Sequence, residues 1–367
     1  MEIIHLILGK ANPNRMNGVN KVVYQLATYQ TIAKKNVSVW GITNNPIHDY
    51  GERNFKTELF QAYKNPFKID RLLKKRLISS KNEIVVHLHG GWVPIYATLA
   101  RFLHKHNIPF VITPHGAYNQ IAMQRSGWTK KIYYLLFEKK VLDYARKIHS
   151  LGESEVVGLN SFYPNKKSFL LPYGFEASSI PLNSIKKNDV FTIGFVGRLD
   201  VYTKGLDLLI EALGVIKKNE IPFVLWMIGE GENEKVKQLV QQYSIENETY
   251  LFGGKYGEEK DNLMVQMSVF VHTSRNEGLP TSVLEAANLG IPCLVSIATN
   301  IYTYVEHYNA GKVVKNEDIT EIVEAIKVFY SEWKNNQLES YKSCAKKMVQ
   351  EGFSWEIIIA KFDQLYS

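Results

Sequence analysis

Short, continuous apolar runs exchange repeatedly with helix-length amphipathic stretches along these 367 residues, and that alternation constrains the fold more than any other feature. In the first half the runs are "IIHLIL" (3–8), "VSVWGIT" (37–43), "EIVVHLHG" (83–90), "FVITPHG" (110–116) and "KIHSLG" (147–152). In the second they are "FTIGFVGR" (191–198), "FVLWMIGEG" (223–231), "TYLFGG" (249–254), "VFVHTS" (269–274) and "PCLVS" (292–296). Strands without polar alternation, spaced by helices, are buried on both faces and belong to parallel sheets. The pattern predicts an α/β chain of two doubly wound, Rossmann-like halves, with ligands at the carboxyl ends of the strands.

The chain is long for one core and comfortable for two. "EASSIPLNSIKKND" (176–189), rich in Ser, Asn, Pro and Lys and without periodicity, reads as the joint. The expected division is 1–178, a linker over 179–190, a second domain over 191–350 and a terminal segment over 351–367. In that segment Trp355, Ile358 or Ile359, Phe362 and Leu365 recur at helical spacing. Charge separates the halves: residues 1–180 carry 25 Lys and Arg against 11 Asp and Glu, the rest 19 against 25. Two cysteines, Cys293 and Cys344, cannot build a disulfide framework and fit a reducing, cytoplasmic compartment. "MEIIHLILGK" lacks a basic leader and a cleavage site, so it reads as a first strand; no apolar run is long enough to span a bilayer.

The most informative stretch is "RNEGLPTSVLEAANLG" (275–290), where Glu277 and Glu285 flank a Gly-Leu-Pro-Thr turn. "TSVLEAANLG" predicts a helix that stops at Gly290, with Thr281 or Ser282 supplying a capping hydroxyl and Pro280 at the entry. Glu277 then lies in the loop and Glu285 about one turn inside. Free N–H groups and the positive helix end between them make an anion site. Eight helical residues rise about 12 Å, more than the separation of a hydrolytic carboxylate pair. The layout suits a ligand with hydroxyls at both ends and a diphosphate between, as in a nucleotide-sugar. "GFVGRLDVYTKGLDLLIEAL" (194–213) adds cations, with Arg198 and Lys204 flanking a glycine turn between strand and helix.

Together "VGRLDVYTKGLDLLIEAL", "MIGEGENEKVKQL", "LFGGKYGEEKDNLMVQMSVFVHTSRNEGLPTSVLEAANLGIPCLVS" and "NAGKVV" resemble a retaining glycosyltransferase of the glycogen-synthase-like family (glycosyltransferase family 4, group 1), which has the GT-B fold. The likeness keeps motif order and spacing across nearly the whole second half. "HLHGGW", "TPHGAY" and "KIHSLGESEVVGL" extend it more loosely into the first. The resemblance implies two Rossmann-like domains facing across a cleft, the first binding the acceptor and the second the nucleotide-sugar. "FSWEIIIAKFDQLY" is similar to the family's last helix, which crosses back onto the first domain.

On residues, the resemblance implies that Glu285 binds the ribose hydroxyls and that Glu277 lies near the donor sugar. Arg198 and Lys204 neutralise the diphosphate, with the backbone of Gly278, Leu279, Pro280 and Thr281 completing its pocket. The turn through Gly254, Lys255 and Tyr256 holds the base. His115 matches a cleft histidine beside the donor sugar; His89 and Trp92, on another strand-end loop, read as packing. Where the family carries a Gly-Gly pair after the first strand, this chain has Asn17 before Gly18. Gly18 keeps the permissive backbone.

The implied reaction is that of a hexosyltransferase, moving a sugar from a nucleoside diphosphate to an acceptor hydroxyl with retention. Preorganised cations and a helix N-terminus stabilise the leaving phosphate, so neither a metal nor another cofactor is expected, and no Asp-x-Asp stands at a strand end. The expected partners are a nucleotide-sugar and a glycan or lipid-linked glycan, in bacterial capsule, O-antigen or exopolysaccharide assembly. "NPFKIDRLLKKRLISS" (65–80) and "GWTKKIYYLLFEKKVL" (127–142) concentrate Lys and Arg among apolar residues. They point to an anionic membrane surface, hence a peripheral place on the inner face of the cytoplasmic membrane. A nucleotide-sugar epimerase of the same fold is the alternative. A dehydrogenase is disfavoured, because "IGEGENEK" has Glu234 where a third glycine belongs. A nucleic-acid binder leaves Arg198, Lys204, Glu277 and Glu285 unexplained.

Overall fold

In the computed structural model, which describes residues 1–12, 18–119, 127–176 and 189–367, the apolar runs form two parallel sheets. The first contains β1 (Glu2–Leu8), β2 (Val37–Thr43), β3 (Lys56–Gln61), β4 (Ile84–His89), β5 (Phe110–Thr113), β6 (Ile148–Ser150) and β7 (Ser168–Leu170), in the order β3-β2-β1-β4-β5-β6-β7. The second contains β8 (Thr192–Val196), β9 (Val224–Ile228), β10 (Thr249–Leu251), β11 (Val269–His272), β12 (Cys293–Ser296) and β13 (Gly311–Val314), in the order β10-β9-β8-β11-β12-β13. Strand order reverses between β1 and β4 and again between β8 and β11. In sheets of this kind ligands gather beyond the carboxyl ends at such a reversal.

Burial explains which strands the sequence announces. All residues of β4 and β8 are buried, so those strands read as unbroken apolar runs. Three strands escape the apolar pattern: β3 (KTELFQ), β7 (SFL) and β13 (GKVV), and all three lie at sheet edges. An edge strand is covered less completely, so its sequence need not be apolar.

The chain divides into Met1–Gly174 with Trp355–Ser367, and Phe175–Ser354. The first break thus comes ahead of the expected 178, and most of the expected linker lies outside the described residues. The terminal helix is Trp355–Tyr366, so residues 351–354 stay with the second unit. Its apolar stripe (Trp355, Ile358, Ile359, Phe362, Leu365 and Tyr366) is buried in the first unit. Trp355 stacks on Tyr29 of the first helix (Gly18–Ile32), with ring centres 4.9 Å apart and planes 10° apart.

Truncating a buried indole removes its transfer energy and leaves a cavity. Trp355→Ala should therefore cost about 3 kcal/mol in chemical unfolding of the first unit. A loss below about 1 kcal/mol would show that the helix is not docked as described.

Candidate active site

The second unit brings two loops together at its strand-order reversal. One follows β8 and carries Arg198 and Lys204; the other follows β11 and carries Glu277. Gly205 makes the approach possible. Its φ is 62°, and a Cβ there would sit 2.1 Å from the Thr273 carbonyl oxygen. Thr273 Oγ1 donates to the Gly205 carbonyl at 3.0 Å. With the turn seated on the β11 end, the Lys204 ammonium forms an ion pair with Glu277 Oε1. The same oxygen accepts from His272 Nε2 at 2.8 Å and from Ser274 Oγ at 3.0 Å. Three donors thus converge on Oε1, while no partner of Oε2 is found among the described residues. Burial alone would raise the Glu277 carboxyl. The His272 hydrogen bond and the positive charge of Lys204 outweigh it and hold the group down at about 2.

The segment after Glu277 keeps its amides free. The helix is Thr281–Asn288, its N-cap residue is Pro280, and no side chain caps it. The expected hydroxyl cap from Thr281 or Ser282 is therefore absent: both residues lie inside the first turn, and the cap position is a proline. Among the described residues nothing accepts from the N–H groups of Leu279, Thr281 or Ser282. Asn300 Nδ2 donates to the carbonyls of Glu277 at 2.6 Å and Gly278 at 3.1 Å. Trans peptide planes then turn the N–H groups of Gly278 and Leu279 the opposite way. The helix stops as expected, with Gly290 at φ 78°. Arg275 anchors the loop from behind through Asp207 at 2.7 and 2.8 Å and Glu317 at 2.8 Å.

The remaining expected residues of this unit stand differently. Arg198 pairs with Asp200 at 3.1 Å and its side chain is 70% exposed, so its guanidinium is accessible to an anion. Glu285 pairs with Lys260 at 2.8 Å. In the turn expected to hold a base, Gly254 N–H already donates to Glu230 Oε1 at 2.9 Å, Lys255 pairs with Glu259, and Tyr256 is largely exposed. Asn300, Lys260 and His272 were not legible as site residues. His272 and Asn300 lie in or beside apolar strands, and only the fold turns them onto the 275–290 loop.

In the first unit, Gly18 opens the first helix, while Asn17 lies outside the described residues. His115 follows β5 in the left-handed region, at φ 54°. A non-glycine residue held there is strained and is retained only where its surroundings fix it. Its ring stacks near Tyr173 at 5.7 Å, and its Nε2 lies 3.1 Å from Nδ1 of His89. His89 itself is 3% exposed and belongs to the interior. Trp92 packs too, its Nε1 donating to the Ala117 carbonyl at 2.9 Å.

Residues 179–348 match the family model for glycosyl transferases group 1, and residues 16–176 that for glycosyltransferase family 4. The chain belongs to this glycosyltransferase family. It is 26% identical over 320 residues to the capsular polysaccharide biosynthesis glycosyltransferase CapM of Staphylococcus aureus, covering 81% of this chain and 80% of that one. It is also 26% identical over 323 residues to the UDP-Gal:alpha-D-GlcNAc-diphosphoundecaprenol alpha-1,3-galactosyltransferase of Escherichia coli, covering 84% and 80%. Among solved structures, sucrose-phosphate synthase from Thermosynechococcus elongatus matches all of this chain and 98% of its own, with TM-score 0.71 at 18% identity. Anabaena HepE in complex with UDP and glucose matches 99% and 98%, with TM-score 0.69 at 15% identity. These two likenesses show the fold, and the chain is a glycosyltransferase with GT-B architecture.

Because the folded Glu277 carboxyl titrates at about 2 against an ordinary 4.5, its ionisation stabilises the fold fully above pH 4.5. That contribution, about 3 kcal/mol, is lost as the pH falls toward 2. Urea unfolding should accordingly show wild type ahead of Glu277→Gln at pH 6, with the gap more than halved at pH 3. A gap that does not change with pH would mean the carboxylate is not held by Lys204 and His272.

Proposed function

We propose that this glycosyltransferase moves a sugar from a nucleoside diphosphate to a glycan hydroxyl, with retention, in bacterial surface-polysaccharide assembly. The observation that carries the reading is the Lys204–Glu277 pair beside the N–H groups of Leu279, Thr281 and Ser282, which have no acceptor among the described residues. A diphosphate needs positive charge and N–H donors already in place, and here both are preorganised. Arg198 adds an accessible guanidinium on the same loop as Lys204. These groups stabilise the leaving phosphate without a divalent metal. Glu277 Oε2 accepts from a donor-sugar hydroxyl, and Glu285 exchanges Lys260 for the ribose hydroxyls. His115 serves the sugar. The leaving phosphate takes the acceptor proton as the new bond forms on the same face. The polysaccharide setting is supported by the capsular relative, and a lipid-linked acceptor by the diphosphoundecaprenol in the name of the Escherichia coli one.

A lipid-linked acceptor calls for a membrane surface, and the first unit offers one. No helix among the described residues is long and apolar enough to cross a bilayer. The helix Arg71–Ser79 buries Leu73 and Leu77 yet leaves Leu72 exposed beside Lys74, Lys75 and Arg76. Its preceding loop meets the second basic segment where Phe67 packs on Phe137, ring centres 4.9 Å apart. That segment runs Gly127–Tyr133, a π turn Tyr134–Glu138, and Lys139–Tyr144. The π turn inverts the usual polarity: Leu135 and Leu136 are 69% and 55% exposed, whereas Glu138 is buried. Trp128 and Ile132 are exposed on the same segment, beside Lys131, Lys139 and Lys140. Apolar side chains rimmed by lysines suit the interface of an anionic leaflet, each cation there contributing about 1 kcal/mol.

Two measurements test this reading. In a thermal-shift screen across UDP-, GDP- and ADP-sugars, one base class should stabilise the wild type, by about 2.7 kcal/mol at 100 times the dissociation constant. Glu285→Ala should abolish the shift, and EDTA should leave transfer unchanged; equal shifts in both proteins would remove the ribose assignment. The membrane surface is tested separately by sedimentation with phosphatidylglycerol-containing vesicles. Binding should be strong at low salt, weaker at high salt, and reduced in Trp128→Ala/Leu135→Ser. No binding even at low salt would eliminate the membrane step.

A further inference from the structure

The face of the first sheet that carries His5, His87 and His149 holds a continuous chain of hydrogen bonds ending at His115. It begins at the carbonyl of Leu171, which can only accept, so His149 Nε2, 2.7 Å away, carries a proton. Burial holds His149 neutral, down at about 4, so its Nδ1 is bare and accepts from the Thr113 hydroxyl at 2.7 Å. Having given its single proton, Thr113 Oγ1 accepts from His87 Nε2 at 2.6 Å. His87, also kept neutral by burial, uses its bare Nδ1 to accept from the Tyr366 hydroxyl at 2.9 Å. Tyr366 is on the terminal helix, and its oxygen accepts from Gln30 Nε2 at 3.2 Å.

That contact fixes the Gln30 amide, whose Oε1 faces His5 Nε2 at 2.6 Å and requires a proton there. The neutral His5 therefore has a bare Nδ1, which accepts from His89 Nε2 at 2.9 Å. His89 Nδ1 in turn accepts from His115 Nε2 at 3.1 Å. Each link has only one consistent donor, because a neutral imidazole has one N–H and one lone pair. His5, His87 and His89 also bring ring nitrogens within 4.8 Å of one another, a spacing a metal could use. Every nitrogen of the three already has a hydrogen-bond partner, however, and the count of protons closes without an ion.

We infer that this chain makes His115 the Nε2–H tautomer and presents Nδ1 as a bare acceptor, which selects a hydroxyl and disfavours a phosphate oxygen. Gln30 and Tyr366 are then positioning residues: they act on substrate only by setting which His115 nitrogen is protonated. The inference rests on the proposed function in one respect, that His115 serves the sugar end of the donor. No partner for Nδ1 occurs among the described residues, and the ring is half-buried, so the acceptor is available. The terminal helix thus does more than fill a groove, since its Tyr366 hydroxyl transmits proton order from β6 to β1.

The test is long-range proton–nitrogen NMR on full-length protein labelled at histidine, with the His115 signals assigned by their loss in His115→Asn. Wild type should show Nε2 protonated and Nδ1 unprotonated at His115. Gln30→Lys supplies donors to His5 Nε2 and should reverse the His5–His89–His115 run, moving the His115 proton to Nδ1 while His149, tied to Leu171, is unchanged. A wild-type His115 protonated at Nδ1, or a folded Gln30→Lys with the His115 tautomer unaltered, would overturn the inference. If Gln30→Lys does not fold, the wild-type spectrum alone decides. Nucleotide-sugar binding by the wild type is read separately: its failure would sink the proposed function and leave the tautomer result standing.

Discussion

The pairing of Lys204 with Glu277 is the interaction on which the rest of the second unit's site depends. The two side chains are only 17% and 12% exposed, so each charge is largely withdrawn from water and met by the other. Removing one member of so enclosed a pair typically costs about 3–5 kcal/mol, because a charge is left without its counter-ion. The geometry needs Gly205 at the preceding turn, which presses backbone against backbone at Thr273, and it needs His272 on β11 to share the carboxylate oxygen. Each part is supplied by a different strand end at the point where the sheet order reverses. Two neighbouring loops there diverge to opposite sides, leaving their ends facing the same space.

The order of causes explains how much the sequence disclosed. Central strands of a parallel sheet must be apolar throughout, so β1, β2, β4, β8 and β11 can be read directly as buried runs. Edge strands β3, β7 and β13 carry no such obligation and pass unseen. Glu277 and Lys204 are visible because each is a charged residue next to a glycine turn. What cannot be read from a line of letters is that they touch, because 73 positions separate them. The capping hydroxyl was a wrong expectation of a local kind: a Thr-Ser pair after proline fits a cap by composition, but the proline takes the cap position and both hydroxyls fall inside the helix.

The histidines show a different limit. A histidine inside an apolar strand is visible in "IIHLIL", "EIVVHLHG" and "KIHSLG", and each could be satisfied by a single local bond. Register decides otherwise. His5 is opposite His87 in the β1–β4 pairing, and His87 and His89 are two residues apart, so all three fall on one face. The terminal helix then closes that face with Tyr366, from a part of the sequence more than 270 positions distant from His87. Proton order along such a chain is a property of the whole: one carbonyl at one end fixes a nitrogen at the other.

The two units therefore solve the burial of polar groups by opposite means, and the difference follows from what each must hold. In the second, a formal charge is kept ionised by bringing a counter-charge and two further donors to a single oxygen, which leaves the other oxygen available. A charged centre of that sort attracts or repels whole ions. In the first, burial removes charge from every ring of the chain, and only the direction of neutral hydrogen bonds remains to discriminate. Direction separates a group that donates from one that accepts, whatever its charge. The donor proposed above, with an anionic middle and hydroxylated ends, would call for both kinds of discrimination.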